Sequence, residues 1–134
     1  AALERAGRGS AESIRQRAER LTARGYSPFR VLVESYLHAS LLASTEAGCP
    51  VAALASEMPR QEGAVRRAST ERVRALIRLV ERSLPAGIPQ QEAGVVAATL
   101  VGSLQVARTL GDNADGRALL AATRKSLLAR AGSD

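Results

Sequence analysis

Few residues in this chain are able to do covalent or metal chemistry, and their spacing argues against it. Cys49 stands directly before Pro50 in the run GCPVAALASEM, residues 48–58. A thiol at a helix N-terminus has a depressed pKa, as a nucleophile or metal ligand requires. No base lies near it in sequence, and with one Cys and one His in 134 residues an all-protein zinc site lacks ligands. Glu57 and Glu62 flank Pro59 and have no partner carboxylate at acid–base spacing. There is no glycine-rich phosphate loop and no paired-histidine metalloprotease motif. No catalytic residue, metal or cofactor is therefore assigned, and the chain reads as a non-enzyme.

The same run has a structural reading. Gly48 suits the left-handed position after one helix, and Pro50 suits the first position of the next, which leaves Cys49 at the cap. Serine fills that role nearly as well. Cys49→Ser should cost about 1 kcal/mol or less in chemical denaturation; a well-folded variant that has lost ligand response would give the thiol a function.

Binding is better supported than catalysis. Tyr36, Ser69, Arg72 and Ser103 are polar groups set among Phe29, Met58, Val73 and Leu100 on faces that point inward. A few polar groups among apolar walls and a flexible Met make an adaptable small-molecule pocket between helices. These eight residues are the candidate lining.

The elements that must position them are all helical. Ala, Leu, Arg and Glu dominate, no stretch alternates with period two, and short breakers divide the chain into six segments. They span about 1–24, 27–47, 50–58, 62–84, 90–110 and, after a cap at Asp112 or Asn113, to about 131, with Gly25 ending the first and Ser27–Pro28 opening the second. The first carries a thin apolar stripe of Leu3, Ser10, Ile14, Ala18 and Leu21, as expected at the edge of a core. The second is apolar on both sides, which makes it central and places His38 opposite Tyr36 as a core histidine. In 62–84 the wet face is Arg67, Glu71, Arg74, Arg78 and Arg82. Its dry face is Val65, Val73, Leu76, Val80 and Leu84, interrupted by Ser69.

Segment 90–110 has no charge between Ala93 and Ala107. Gly94, Ala98, Gly102, Gln105 and Thr109 line one side, and Val96, Leu100, Ser103, Leu104 and Ala107 the other. Small residues four apart admit a close neighbouring helix, and one face is left over in a single subunit. A second copy is the economical cover. With Leu119, Leu120, Thr123 and Leu127 from the last segment, these small residues form the expected interface of a homodimer.

Charge and targeting signals narrow the partners. The net charge is +6, and eighteen of the nineteen basic residues are Arg. They interleave with Glu as on solvated helix faces, and three aromatics offer no stacking platform for single strands. Direct DNA binding by these residues is not expected. No run reaches about 18 uncharged apolar residues and no signal peptide shows, so the expected setting is the cytoplasm with no membrane partner. The opening AALERAG, without Met and already of helical composition, reads as a start inside something larger.

GCPVAALASEM, then EGAVRRASTERVRALIRLVERSL, then VVAATLVGSLQVART resemble the C-terminal domain of a TetR-family transcriptional regulator, over essentially all 134 residues. AALERAG resembles the first turns of the helix that joins the family's DNA-reading head to this domain. The family's N-terminal helix-turn-helix has no counterpart in the chain. The resemblance implies an all-α, six-helix, bundle-like regulatory domain that dimerises and binds a small, largely apolar effector. Residues 1–24 would be the connecting helix, DNA would be reached only through the missing head, and the regulator would be a repressor. The rival reading is a free-standing helical adaptor whose dry 90–110 segment binds a different protein.

Overall fold

The computed structural model describes residues 2–43 and 63–132. Five helices carry the described chain: α1 (Ala2–Ala23), α2 (Pro28–Tyr36), α3 (Gly63–Ser83), α4 (Ala93–Leu110) and α5 (Ala114–Arg130). There is no strand among the described residues. The expected helix over 50–58, with Cys49 and Met58, lies outside them. The fold is all-α, and five helices stand where six segments were expected, that one being outside the described residues.

Local chemistry sets the boundaries. α1 ends in a Schellman motif: the Tyr26 N–H donates to the Leu21 carbonyl at 3.3 Å and the Gly25 N–H to Thr22 at 3.0 Å. Gly25 takes φ +88°, where a side chain would be strained. Ser27 caps α2 by accepting from the Arg30 N–H at 3.2 Å, with Pro28 in the first turn. The α2 expectation is too long at its C-terminal end. The helix stops at Tyr36, and a 3-10 turn over Ala39–Leu42 follows. Apolar periodicity continues through both pieces, so the break is silent in the pattern. It is made by His38, whose extended backbone and ring cap the 3-10 turn. His38 is thus a half-buried cap, not a core histidine. Asn113 opens α5, its Oδ1 accepting from Gly116 N–H and its Nδ2 donating to the Leu110 carbonyl.

α2 is central: α1, α3, α4 and α5 all pack on it. α4 and α5 form the most extensive helix pair, a hairpin held at its open end by the Arg130–Glu92 ion pair. Phe29, Val33, Leu37, Val80, Val96, Leu100, Leu104 and Leu120 form the fully or almost fully buried centre. Each large apolar chain there contributes about 1.5–3 kcal/mol through burial. From α1, Ile14 packs against this core, while Ala18 and Leu21 are half-buried, as an edge helix requires. Gln90–Leu110 is long and apolar enough by composition to cross a membrane. In this fold, one side of that stretch is core.

Candidate functional site

Three of the eight candidate lining residues meet in the apolar core between α2 and α4. Phe29 on α2 and Leu100 on α4 are buried in one apolar cluster, with Tyr36 half-buried against it. On α3, Ser69 continues the inward stripe that runs through half-buried Val73 to buried Leu76 and Val80. Arg72 is exposed and does not join this interior, because its phase on α3 carries it to the solvent side. Met58 lies outside the described residues.

Ser69 is chemically the odd member. Hydroxyls inside helices usually bond to the carbonyl four residues back. Ser35 does so to Val31 at 2.6 Å, Thr70 to Arg66 at 3.0 Å, and Ser83 to Leu79 at 2.8 Å. Ser69 is 3% exposed, and its Oγ has no hydrogen-bond partner among the described residues. Leaving a buried hydroxyl unmatched costs about 1–3 kcal/mol. A polar atom of a bound molecule is the kind of group that would remove that cost.

Ser103 is occupied differently. The Thr123 Oγ1 donates to the Leu119 carbonyl at 3.0 Å and lies 3.1 Å from the Ser103 Oγ, so the two hydroxyls couple α4 to α5. Thr123, Leu120 and Leu127 are therefore buried within the subunit, against its own core, and do not lie on an outer face. Leu119 is half-buried beside them. An apolar stripe shows that a helix is covered, and not by which chain.

The outer face lies elsewhere on the same hairpin. Gly94, Ala98, Gly102 and Thr109 are exposed along α4, with Gln105 half-exposed. Val95, Val106 and Leu110 stand beside them at 56%, 52% and 47% exposure, three of the four large apolar side chains exposed among the described residues. Positions 95, 98, 102, 106 and 109 follow a helical spacing, so the apolar surface is one stripe. On α5 the outward residues Ala118, Ala122, Ser126 and Ala129 are small. The valines and Leu110 escaped the sequence reading because it followed only the small residues of this face.

Among the described residues, no three His, Cys, Asp or Glu side chains gather as a metal site. A family model described as "Tetracyclin repressor-like, C-terminal domain" matches residues 25–123. The chain belongs to this family. Searches of curated proteins and of solved structures return no match. The TetR-type assignment brings with it a general role, that of a ligand-binding and dimerisation domain of a regulator, typically non-enzymatic. Its matched segment begins at Gly25, so α2 to α5 carry the family likeness and α1 precedes it.

Proposed function

We propose that this domain binds a small, largely apolar effector in the interior of α2, α3 and α4, and dimerises through the outer faces of α4 and α5. Phe29, Tyr36, Val73, Leu100 and Ser103 serve as walls. The unmatched Ser69 hydroxyl supplies the polar contact, and it is the observation that carries this reading. Gly94, Ala98, Gly102, Gln105 and Thr109, joined by Val95 and Val106, form the interface. The setting is a cytoplasmic repressor in which a helix-turn-helix head is attached ahead of α1. Effector binding changes the angle of α1, and with it the spacing of two heads that must sit about 34–36 Å apart to read DNA. A ligand that prefers another spacing releases DNA by shifting the population.

Thermal shift with a library of small apolar and aromatic compounds tests the site. A ligand at a hundred times its Kd should stabilise the domain by about 2.7 kcal/mol. Ser69→Ala removes the buried unmatched hydroxyl, so the unliganded variant should be more stable than the parent by about 1 kcal/mol. The same variant should bind a hit more weakly. This opposite pair of signs distinguishes a ligand contact from a packing role. A hit whose shift survives both Ser69→Ala and Tyr36→Ala unchanged would place the site elsewhere.

A further inference from the structure

One cluster outside the proposed effector interior joins three elements at a single corner. The His38 Nδ1 accepts the Ser40 N–H at 3.0 Å and lies 2.9 Å from the Ser40 Oγ. A backbone N–H is only a donor, so this Nδ1 must be unprotonated and the neutral ring carries its proton on Nε2. Arg17 of α1 reaches the same Ser40 Oγ at 3.4 Å. Arg124 of α5 donates to the carbonyl of Leu37, the C-cap residue that ends α2. The charged groups that act on the ring are Arg17 and Arg20 from α1, Arg124 from α5 and Glu34 from α2. Among the described residues, three cations face one carboxylate.

We propose that this corner is an acid-sensitive clasp between α1 and the body of the domain. Protonation of His38 turns the Nδ1 acceptor into a donor facing the Ser40 N–H, and it adds a charge beside Arg17, Arg20 and Arg124. The 3-10 turn loses its cap, Ser40 shifts, and Arg17 loses its contact on the body. Apolar packing of Ile14 keeps α1 in place, so acid changes the attachment of one corner and does not detach the helix.

Burial and then the neighbouring Arg17 and Arg124 hold the imidazole below its ordinary value of 6.5, against a smaller opposing pull from Glu34. The unfolded chain therefore takes the proton first. The stability that the neutral ring contributes is complete above about pH 6.5 and is lost as pH falls through the lower folded value.

The chain has one histidine, so its imidazole signals in NMR need no assignment by mutation. A titration of the 134-residue chain from pH 7.5 downward should give an imidazole midpoint below 6.5. The Ser40 amide should lose exchange protection by roughly fivefold with the same midpoint, and the Arg17 guanidinium signals should move with it. His38→Asn keeps a side-chain acceptor that does not titrate, so it should hold Ser40 protected throughout and abolish the transition. An imidazole midpoint at or above 6.5 would overturn the proposal. So would Ser40 and Arg17 signals that ignore the imidazole titration, or an identical transition in His38→Asn.

Discussion

Gly102→Arg should give a folded monomer at concentrations where the parent chain sediments as a dimer. Gly102 is exposed on α4, and a Cβ placed there meets nothing within 4 Å in its own subunit. Within the subunit the substitution is favourable, since Arg is a better helix residue than Gly by roughly 0.5–1 kcal/mol. Across the proposed interface it is not. The small residues permit close helix approach, and a guanidinium at their centre must either be buried without a partner or hold the helices apart. A stable dimer needs roughly 800 Å² from each partner, which the α4–α5 face cannot supply once its middle is wedged open. The expected pattern is thus a halved mass with an intact helical signal. A Gly102→Arg protein that remains a well-folded dimer in sedimentation would remove this face from the interface.

Gly116→Ala should behave in the opposite manner and destabilise the subunit itself by about 3 kcal/mol. Gly116 is buried in the first turn of α5, under the end of α4. A Cβ there would overlap the Gly111 carbonyl oxygen and stand 2.9 Å from the Ala107 carbonyl oxygen. Both obstacles are backbone, so no side-chain rotation relieves them. Gly111 has φ +110°, a conformation that the turn between the helices needs and that ordinary residues resist. Gly→Ala inside a helix ordinarily gains about 1 kcal/mol, so the sign of the urea-denaturation difference is itself informative. Loss at 116 and gain at 102 in a monomeric background would establish that one glycine serves the turn and the other an outer face. A neutral or stabilising Gly116→Ala would show that α4 and α5 meet less closely.

Much of the architecture is legible in the sequence because helical phase is. The inward stripe of α3 and the two-sided burial of α2 follow from 100° per residue, and Gly25, Ser27–Pro28 and Asn113 punctuate the chain through ordinary capping chemistry. The resemblance to the TetR family, carried by the Gly-Cys-Pro segment and the helices that follow it in order, agrees with the family to which the chain belongs.

What escaped the sequence has physical causes. The end of α2 is set by a side chain capping its own neighbours and by Arg124, 87 positions away, supplying the donor for Leu37. No periodicity encodes a contact of that range. Arg72 interrupts an apolar edge and reads as a pocket residue, yet a long cationic chain beside a dry face can simply turn outward. Leu120, Thr123 and Leu127 have the right pattern for burial, but α5 packs on the subunit's own α4, α2 and 3-10 turn. Gly116 looks like a poor helix residue until the backbone above it is seen.

The most direct test joins dimer, effector and connecting helix in one measurement. Ser13 is exposed on α1, and Cys49→Ser leaves Ser13→Cys as the single site for a spin label. Pulsed electron resonance on the labelled chain should report one distance between the two copies of α1, and saturating the domain with a compound returned by the thermal-shift screen should move it to a second, discrete distance. No intermolecular distance, or one that the bound compound leaves unchanged, would contradict the account.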